Sequence, residues 1–181
     1  MPSAPAGKSY ALSAADIQRI LEPDTKIFTY PAFAQMTHID EAFDPLGRCV
    51  FLFLTDSPTS GHWLCMFKRK GHIEYFDSYG EKPDAQRKWL SQERLEELDE
   101  GRPFLTELLR RSRYRVYANN HAFQTDKGDV NTCGRWCVAR LICKDLSNEQ
   151  FYHEVRRDMR ARGITTPDAW VTDFTADILG R

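Results

Sequence analysis

Long apolar runs and an excess of one charge are both missing from this sequence. Its 25 Lys and Arg residues almost balance its 26 Asp and Glu residues, which leaves a formal net charge of -1. A balanced charge gives no overall attraction to nucleic acid or to an anionic membrane. No stretch approaches the roughly 18 consecutive apolar residues of a transmembrane helix, and the first residues, MPSAPAGKSY, lack the apolar core of a secretion signal. We therefore expect a soluble, unexported protein with no membrane contact.

Cysteine is also scarce, and its placement argues against a disulfide framework. The chain has five cysteines, an odd number, scattered at positions 49, 65, 133, 137 and 143. Small secreted domains instead carry paired cysteines at short, regular spacings. We therefore expect a reducing compartment and free thiols.

The apolar content that is present suffices for one compact domain, since 41% of the 181 residues are hydrophobic. Residues 1–12 are rich in Ala, Ser, Pro and Gly, which predicts a flexible tail. The remaining residues, 13–181, are expected to form a single domain. Residues 24–44 show no sustained period and predict irregular structure, with a short helix at 38–43 as the alternative.

Apolar and β-branched runs predict four strands, and 3.6-residue apolar patterns predict helices before, between and after them. The first strand is continuously apolar, as a strand buried on both faces would be. Because strands and helices do not alternate strictly, the predicted fold class is α+β. The strands are expected at 48–55, 62–70, 72–80 and 114–119, and the helices at 14–21, 83–99, 103–112, from 133 onward, at 148–163 and at 167–179.

Cys133 is the candidate nucleophile. It stands where a polar loop gives way to a helical pattern, with Asn131 or Thr132 as the helix N-cap. The unpaired N–H groups and the dipole of a first helical turn favour a thiolate. The backbone N–H of Cys133 can also bind the oxyanion that its own sulfur creates. Gly134 is expected to leave room for a substrate backbone.

Partners for this thiol come from the predicted hairpin. His62 begins one strand and Asp77 ends the next, so adjacent strands can bring the imidazole and the carboxylate together. A carboxylate holds the imidazole in the tautomer whose other nitrogen faces the thiol. Gln124 precedes the loop that leads to Cys133 and offers an amide N–H to an oxyanion. Asn119 or Asn120 is the alternative donor.

Four short segments, in this order, resemble one family of enzymes: GHW, YFDSYG, a glutamine, and NTCGRWC. They look like the cysteine proteases that include the adenovirus maturation protease and the SUMO-specific proteases, and most like the versions from large DNA viruses. The resemblance implies a papain-like fold with a central mixed or antiparallel sheet flanked by helices. It also implies that Cys133 is the nucleophile, His62 the base, Asp77 the residue that orients the base, and Gln124 the oxyanion donor, with no metal or organic cofactor.

The same resemblance implies a substrate class. Cleavage is expected after glycine, often Gly-Gly, with Trp63 narrowing the substrate channel. The expected substrates are viral precursor proteins processed during particle maturation, with a capsid or precursor protein as partner and the virion, host cytoplasm or host nucleus as location. An isopeptidase that removes ubiquitin or SUMO would share every catalytic residue. A virion scaffold protein that kept the fold without the activity is a third interpretation.

Structural interpretations compete with these. An isolated cysteine at a helix start is more often a packing residue than a nucleophile. Cys137, one turn after Cys133, could form a metal pair with it, but no second Cys or His pair has zinc spacing, so burial is favoured. The arginines within residues 110–115 and 156–162 could bind nucleic acid, yet the acidic residues among and near them favour a solvated surface.

Overall fold

A five-stranded mixed sheet forms the centre of the molecule in the computed structural model, which describes residues 10–125 and 130–179. Neighbouring strands in the chain are also neighbours in the sheet. The outer pairs, first with second and fourth with fifth, are parallel, whereas both inner pairs are antiparallel. Of the two sheet types expected, the mixed one is present. The strands are β1 (Lys26–Thr29), β2 (Arg48–Ser57), β3 (Ser60–Arg69), β4 (His72–Phe76) and β5 (Val116–Ala118).

Six α-helices flank this sheet within the described residues. They are joined by short 3-10 turns at Tyr30–Gln35, Ile39–Ala42 and Ala85–Trp89. No helix among the described residues has both the length and the apolar character needed to cross a bilayer. The helices are α1 (Ala14–Leu21), α2 (Gln92–Glu97), α3 (Phe104–Arg111), α4 (Cys133–Ile142), α5 (Asn148–Arg162) and α6 (Pro167–Leu179).

Strand β2 explains why the molecule has two apolar cores. Its side chains alternate between the sheet faces, so the continuously apolar run fills both. Val50 and Leu52 join the core under α1, α4, α5 and α6. Phe51 and Phe53 join the core under α2, α3 and the first two 3-10 turns. The strand is therefore buried on both faces, as predicted, although β3 and not β2 occupies the middle of the sheet.

Helix α4 crosses the first of these cores and packs against β3, α1 and α6. Every residue from Cys133 to Leu141 is buried. Trp136 stacks on Trp170 of α6 with ring centroids 5.7 Å apart. The buried Arg140 guanidinium lies 4.4 Å from the Phe67 ring centroid on β3, which adds a cation–π contact. These contacts hold α4 on the sheet and so determine where its first residue, Cys133, lies.

Two predicted elements differ from the structure. Residues 83–99 were expected to form one helix, but the chain is extended at Leu90 and Ser91, and Ser91 caps α2 by accepting from the backbone N–H of Arg94. Because Ser91 has the extended backbone of a helix cap, the preceding 3-10 turn ends before it. Strand β1 lies in the region expected to be irregular, because its four residues gain their stability by pairing with β2 rather than from their own pattern. The hairpin of β3 and β4, turning at Lys70 and Gly71, is confirmed.

The structure describes only the last three residues of the segment predicted to be a tail, residues 1–12. Its first nine residues lie outside the described part of the chain. Leu12, in contrast, is only 2% exposed and belongs to the core that contains Cys133. Leu12 is therefore packed against the domain, whereas Tyr10 and Ala11 are exposed.

Candidate active site

The hairpin of β3 and β4 brings His62 and Asp77 together. Cys65 of β3 pairs with Phe76, the last residue of β4, so His62 lies beyond the end of β4 at the place where the chain leaves the sheet. Asp77 follows Phe76 directly. The His62 Nε2 atom is 2.8 Å from the Asp77 Oδ1 atom, and both side chains are buried. The predicted imidazole–carboxylate pair is thus present in the structure.

Asp77 is held from several sides. Its Oδ1 atom also accepts from the backbone N–H of Tyr79 at 2.9 Å. Its Oδ2 atom accepts from the Gln86 side-chain amide at 2.7 Å. The backbone of Asp77 is bound as well, because the Asn119 side chain accepts from its N–H at 2.9 Å and donates to its carbonyl at 2.7 Å. These hydrogen bonds compensate the free-energy cost of burying the Asp77 carboxylate and hold it in one orientation.

Two aromatic rings fix the plane of the His62 imidazole. Tyr79 stacks on it with ring centroids 4.9 Å apart and planes 21° apart. Trp89 meets it edge-on at 5.3 Å. The rings shield the imidazole from water, and the Asp77 bond occupies Nε2. Nδ1 is therefore the nitrogen left for a partner on the other side.

That partner is Cys133, the first residue of α4. Thr132 occupies the N-cap position, as one of the two expected caps, but its hydroxyl donates to Asp168 Oδ1 at 2.6 Å and does not cap the helix. The first N–H groups of α4 are thus left for another acceptor. The Cys133 thiol lies near the His62 side chain and the backbone N–H groups of Trp63 and Gly134, and its interactions with all three lower its pKa. Imidazole, thiol and carboxylate form one connected group.

The pKa values in this group move in opposite directions. Burial raises the pKa of the Cys133 thiol, but the hydrogen bonds from His62, Trp63 and Gly134 outweigh burial and hold the pKa below its ordinary value. Burial lowers the pKa of His62, but hydrogen bonds to Asp77 and Cys133 outweigh burial and raise the pKa to about 10. Both shifts favour a thiolate beside an imidazolium at neutral pH. Such a pair can attack an electrophilic carbon and can return a proton to a leaving group.

Three amide side chains were candidates for the oxyanion donor, and the structure treats them differently. Gln124 is buried; its Oε1 atom accepts from the Ser78 hydroxyl at 2.8 Å, and its Nε2 atom donates to the Val130 carbonyl at 3.0 Å. Its N–H side therefore faces the segment that leads to Cys133, of which residues 126–129 lie outside the described part. The Nδ2 atom of Asn119 donates to two backbone carbonyls, so Asn119 supports Asp77 instead. Asn120 lies in a separate groove with His72 and Glu149.

Cys133 opens into a cleft of about 580 Å³. Trp63 lines this cleft, and its role in narrowing a substrate channel stays a prediction. The space expected beside Gly134 for a substrate backbone is already in use: a Cβ atom there would lie 3.1 Å from Trp63 Cδ1 and 3.1 Å from Leu12 Cβ. The visible role of Gly134 is therefore close packing of α4 against these two side chains, and its contact with substrate stays a prediction.

Sequence reasoning missed three residues of the site: Gln86, Tyr79 and Trp89. Tyr79 lies inside the YFDSYG segment, and its closeness to Asp77 was an available signal. Gln86 and Trp89 both lie in the 3-10 turn Ala85–Trp89, within residues that were expected to form part of one long helix. They reach the site only because the chain after β4 folds back over His62.

The second cysteine of α4 has different surroundings. Cys137 is 1% exposed in the apolar core, and its backbone carbonyl accepts a hydrogen bond from the Cys65 thiol at 4.0 Å. Burial and these neighbours raise the pKa of Cys137 well above the ordinary value. Within residues 10–125 and 130–179, no group of three or more His, Cys, Asp or Glu side chains is placed to bind a metal ion.

Comparison with known proteins yields one clear relative. No protein-family model matches the chain. The chain is 39% identical over 166 residues to the uncharacterized protein V9 of Sputnik virophage, and the alignment covers 91% of this chain and 94% of V9. The alignment therefore extends over nearly the whole of both proteins.

Proposed function

This chain belongs to the family of Sputnik virophage protein V9, and we propose that it is a cysteine endopeptidase with Cys133 as its nucleophile. The observation that carries this proposal is the pair of opposite pKa shifts at Cys133 and His62, joined to the 2.8 Å bond between His62 and Asp77. A merely structural cysteine has no need of a lowered pKa. Cys137, on the same helix, has the raised pKa that burial alone produces.

The proposed reaction uses the group in two stages. The Cys133 thiolate attacks the carbonyl carbon of the scissile peptide, and the backbone N–H of Cys133 and the Gln124 amide bind the oxyanion. As the C–N bond breaks, the proton on His62 Nδ1 passes to the leaving amine, and a thioester remains. His62 then takes a proton from water, the hydroxide attacks the thioester, and the new carboxylic acid leaves. The thiolate and the imidazolium are restored.

The proposed substrates are proteins cut after glycine, at sites of the Gly-Gly type. The sequence resemblance to adenovirus-type and SUMO-specific proteases supports this choice, and so does the position of Trp63 at the cleft beside Cys133. A substrate residue without a Cβ atom passes most easily between an indole and a helix. Since V9 is a viral protein, we propose precursor or capsid proteins as the physiological partners and the virion or the infected cell as the location.

A glycine-terminated electrophilic peptide probe tests the enzymatic proposal. We expect covalent labelling at Cys133, detected by peptide mass spectrometry. Cys133→Ala should abolish the labelling, and Cys137→Ala, the matched variant one turn later on the same helix, should retain it. Labelling that persists in Cys133→Ala, or none in the native chain, would contradict the proposal.

The substrate class needs a second measurement. Hydrolysis rates of short peptides that contain Gly-Gly are compared with those of ubiquitin and SUMO conjugates under the same conditions. Peptide cleavage without preference for the conjugates is expected for a precursor-processing protease. A strong preference for either conjugate would assign the chain to the isopeptidases.

A further inference from the structure

Residues 10–12, which we call the strap, lie beside the cleft that leads to Cys133. The cleft is lined by Ala11 and Leu12 on this side and by Phe28 of β1 and by the turn between β2 and β3 on the others. Tyr10 ties the strap to α1, because its hydroxyl donates to the Asp16 carboxylate at 3.2 Å. The strap is thus held against the domain at both of its ends, by Tyr10 and by the buried Leu12.

Leu12 holds the indole of Trp63. The Trp63 Nε1–H donates to the Leu12 backbone carbonyl at 2.9 Å, across 51 residues of sequence, and both residues are buried. An indole has one N–H donor, so this bond determines how the ring can be turned. The Leu12 side chain also lies against Gly134 at the start of α4. The strap therefore positions the ring that lines the cleft beside the nucleophile.

The backbone of Trp63 is held independently of the strap. Trp63 pairs with Leu52 in the antiparallel ladder of β2 and β3. Its backbone N–H is one of the groups that lower the pKa of Cys133. The sheet consequently maintains the thiolate, whereas the strap maintains the indole. Loss of the strap contact should change the width of the cleft and leave the ionisation of Cys133 as it is.

We propose that the strap is a specificity element: by fixing the Trp63 indole it keeps the channel beside Cys133 too narrow for a side chain, and so enforces glycine at the cleavage site. This inference rests on the proposed protease function and adds to it a structural cause of the glycine preference. Leu12 and Trp63 are positioning residues in this scheme, since neither takes part in bond breaking. A hydrophobic wall can discriminate one methyl group by about 10-fold or more.

The test uses Leu12→Gly and Trp63→Phe in the full-length chain. Leu12→Gly removes the buried anchor of the strap, and Trp63→Phe removes the N–H donor but keeps an aromatic ring. For each variant, kcat/KM is measured on paired peptides with glycine or alanine before the scissile bond. We expect the ratio of kcat/KM for the glycine peptide to that for the alanine peptide to fall by about 5-fold or more in both variants. The Trp63 indole is expected to account for about 10-fold discrimination against the extra methyl group.

A double variant and a matched control isolate the contact. The Leu12→Gly, Trp63→Phe double variant should show about the same ratio as either single variant, because both remove one interaction. Leu46→Gly, at a leucine that is 57% exposed, makes the same substitution away from the cleft and should leave the ratio unchanged. An unchanged ratio in folded Leu12→Gly and Trp63→Phe would overturn the inference. If Leu12→Gly does not fold, Trp63→Phe alone decides it.

A chemical measurement separates failure of the strap from failure of the protease proposal. The rate at which Cys133 reacts with small iodoacetamide is compared with its rate toward a bulky maleimide, which requires no enzymatic activity. We expect the strap variants to accelerate the bulky reagent by about 5-fold or more relative to the small one, and the pH dependence of the iodoacetamide reaction to stay the same. If the strap variants accelerate the maleimide reaction in a chain that cleaves no peptide, the narrow channel is supported and the protease proposal is rejected. If the chain cleaves peptides but the ratio of the two reagents' reaction rates is unchanged in the strap variants, the inference about the strap is rejected.

Discussion

The first and second turns of α4 carry the same chemical group in opposite electrostatic surroundings. Cys133 and Cys137 are one turn apart, and both are buried. The first faces an imidazole and two backbone N–H groups, which lower its pKa. The second faces Cys65 and apolar side chains, and its pKa is raised. What a buried cysteine can do is therefore decided by the hydrogen-bond donors that reach its sulfur, not by burial itself.

The largest expected effect comes from removing the sulfur at each turn. Cys133→Ala should lower kcat/KM by about 10³-fold or more, because it removes the thiol whose pKa is lowered beside the imidazole. Cys137→Ala should leave kcat/KM within about 3-fold and lower the free energy of unfolding by about 1 kcal/mol through a small cavity. Peptide hydrolysis and urea unfolding measure the two effects. Equal losses of activity in folded forms of both variants would erase the distinction between the turns.

Removing the carboxylate behind the imidazole should have the next largest effect. Asp77→Ala deletes a bond that raises the pKa of His62, so the thiolate loses part of its counter-charge. We expect kcat/KM to fall by about 10²-fold or more. Gln86→Leu, which removes one donor to the same carboxylate, should cost about 10-fold, because Asp77 stays but is less well oriented. If Gln86→Leu cost more than Asp77→Ala, Asp77 would not be acting through His62.

The pH dependence of alkylation sharpens the contrast further. A lowered pKa means that Cys133 is ionised, and reacts with iodoacetamide, below the pH at which an ordinary thiol reacts. The pair should persist up to pH about 10, where His62 loses its proton. Cys137 should stay unmodified throughout while the chain is folded. Mass spectrometry measures the alkylation rates of both cysteines in one sample. Modification of Cys137 at a rate comparable to that of Cys133 would contradict the assignment of Cys133 as the reactive thiol.

The smallest expected effect concerns two buried carboxylates, those of Asp77 and Glu100, which differ in their hydrogen bonds as the two cysteines of α4 do. Asp77 accepts bonds at both oxygens, whereas Glu100 accepts from the Leu54 N–H at Oε1 and has no hydrogen-bond partner at Oε2 within the described residues. Burial raises the pKa of Glu100 from 4.5 to about 7. Between these pH values the folded chain holds a proton that the unfolded chain has lost, so stability falls as the pH rises through this range.

Glu100→Gln tests this carboxylate. The substitution keeps an acceptor for Leu54 and removes the buried charge, so at pH about 8 it should raise the free energy of unfolding by about 1 kcal/mol. Near pH 4.5, where the native Glu100 is already neutral in the folded chain, the gain should vanish. Thermal unfolding at the two pH values measures the difference. A gain of the same size at both would show that the charge of Glu100 is not its cause.

The sequence anticipated the site better than its supporting residues. His62 and Asp77 could be placed together because a strand–turn–strand pattern joins them, and Cys133 because the start of a helix is a local signal. Gln86 and Trp89 carried no such signal, since the pattern of residues 83–99 predicted one helix and not the 3-10 turn that brings them to the site. Leu12 carried none because it lies in the segment expected to be a flexible tail. The oxyanion donor stays a prediction at Gln124, although the structure turns Asn119 toward Asp77 and away from that role.

By itself, the sequence determined the strands with alternating or continuous apolar runs, the capped helices, and the three side chains of the candidate site, because each follows from neighbours within a few residues. Only the tertiary structure decided the pairing of β1, the split of residues 83–99 into two elements, and the packing of residues 10–12 against Trp63. These depend on contacts between distant parts of the chain, such as the 51 residues between Leu12 and Trp63. Their stability comes from the partner surface and not from the local pattern, so no local pattern records them.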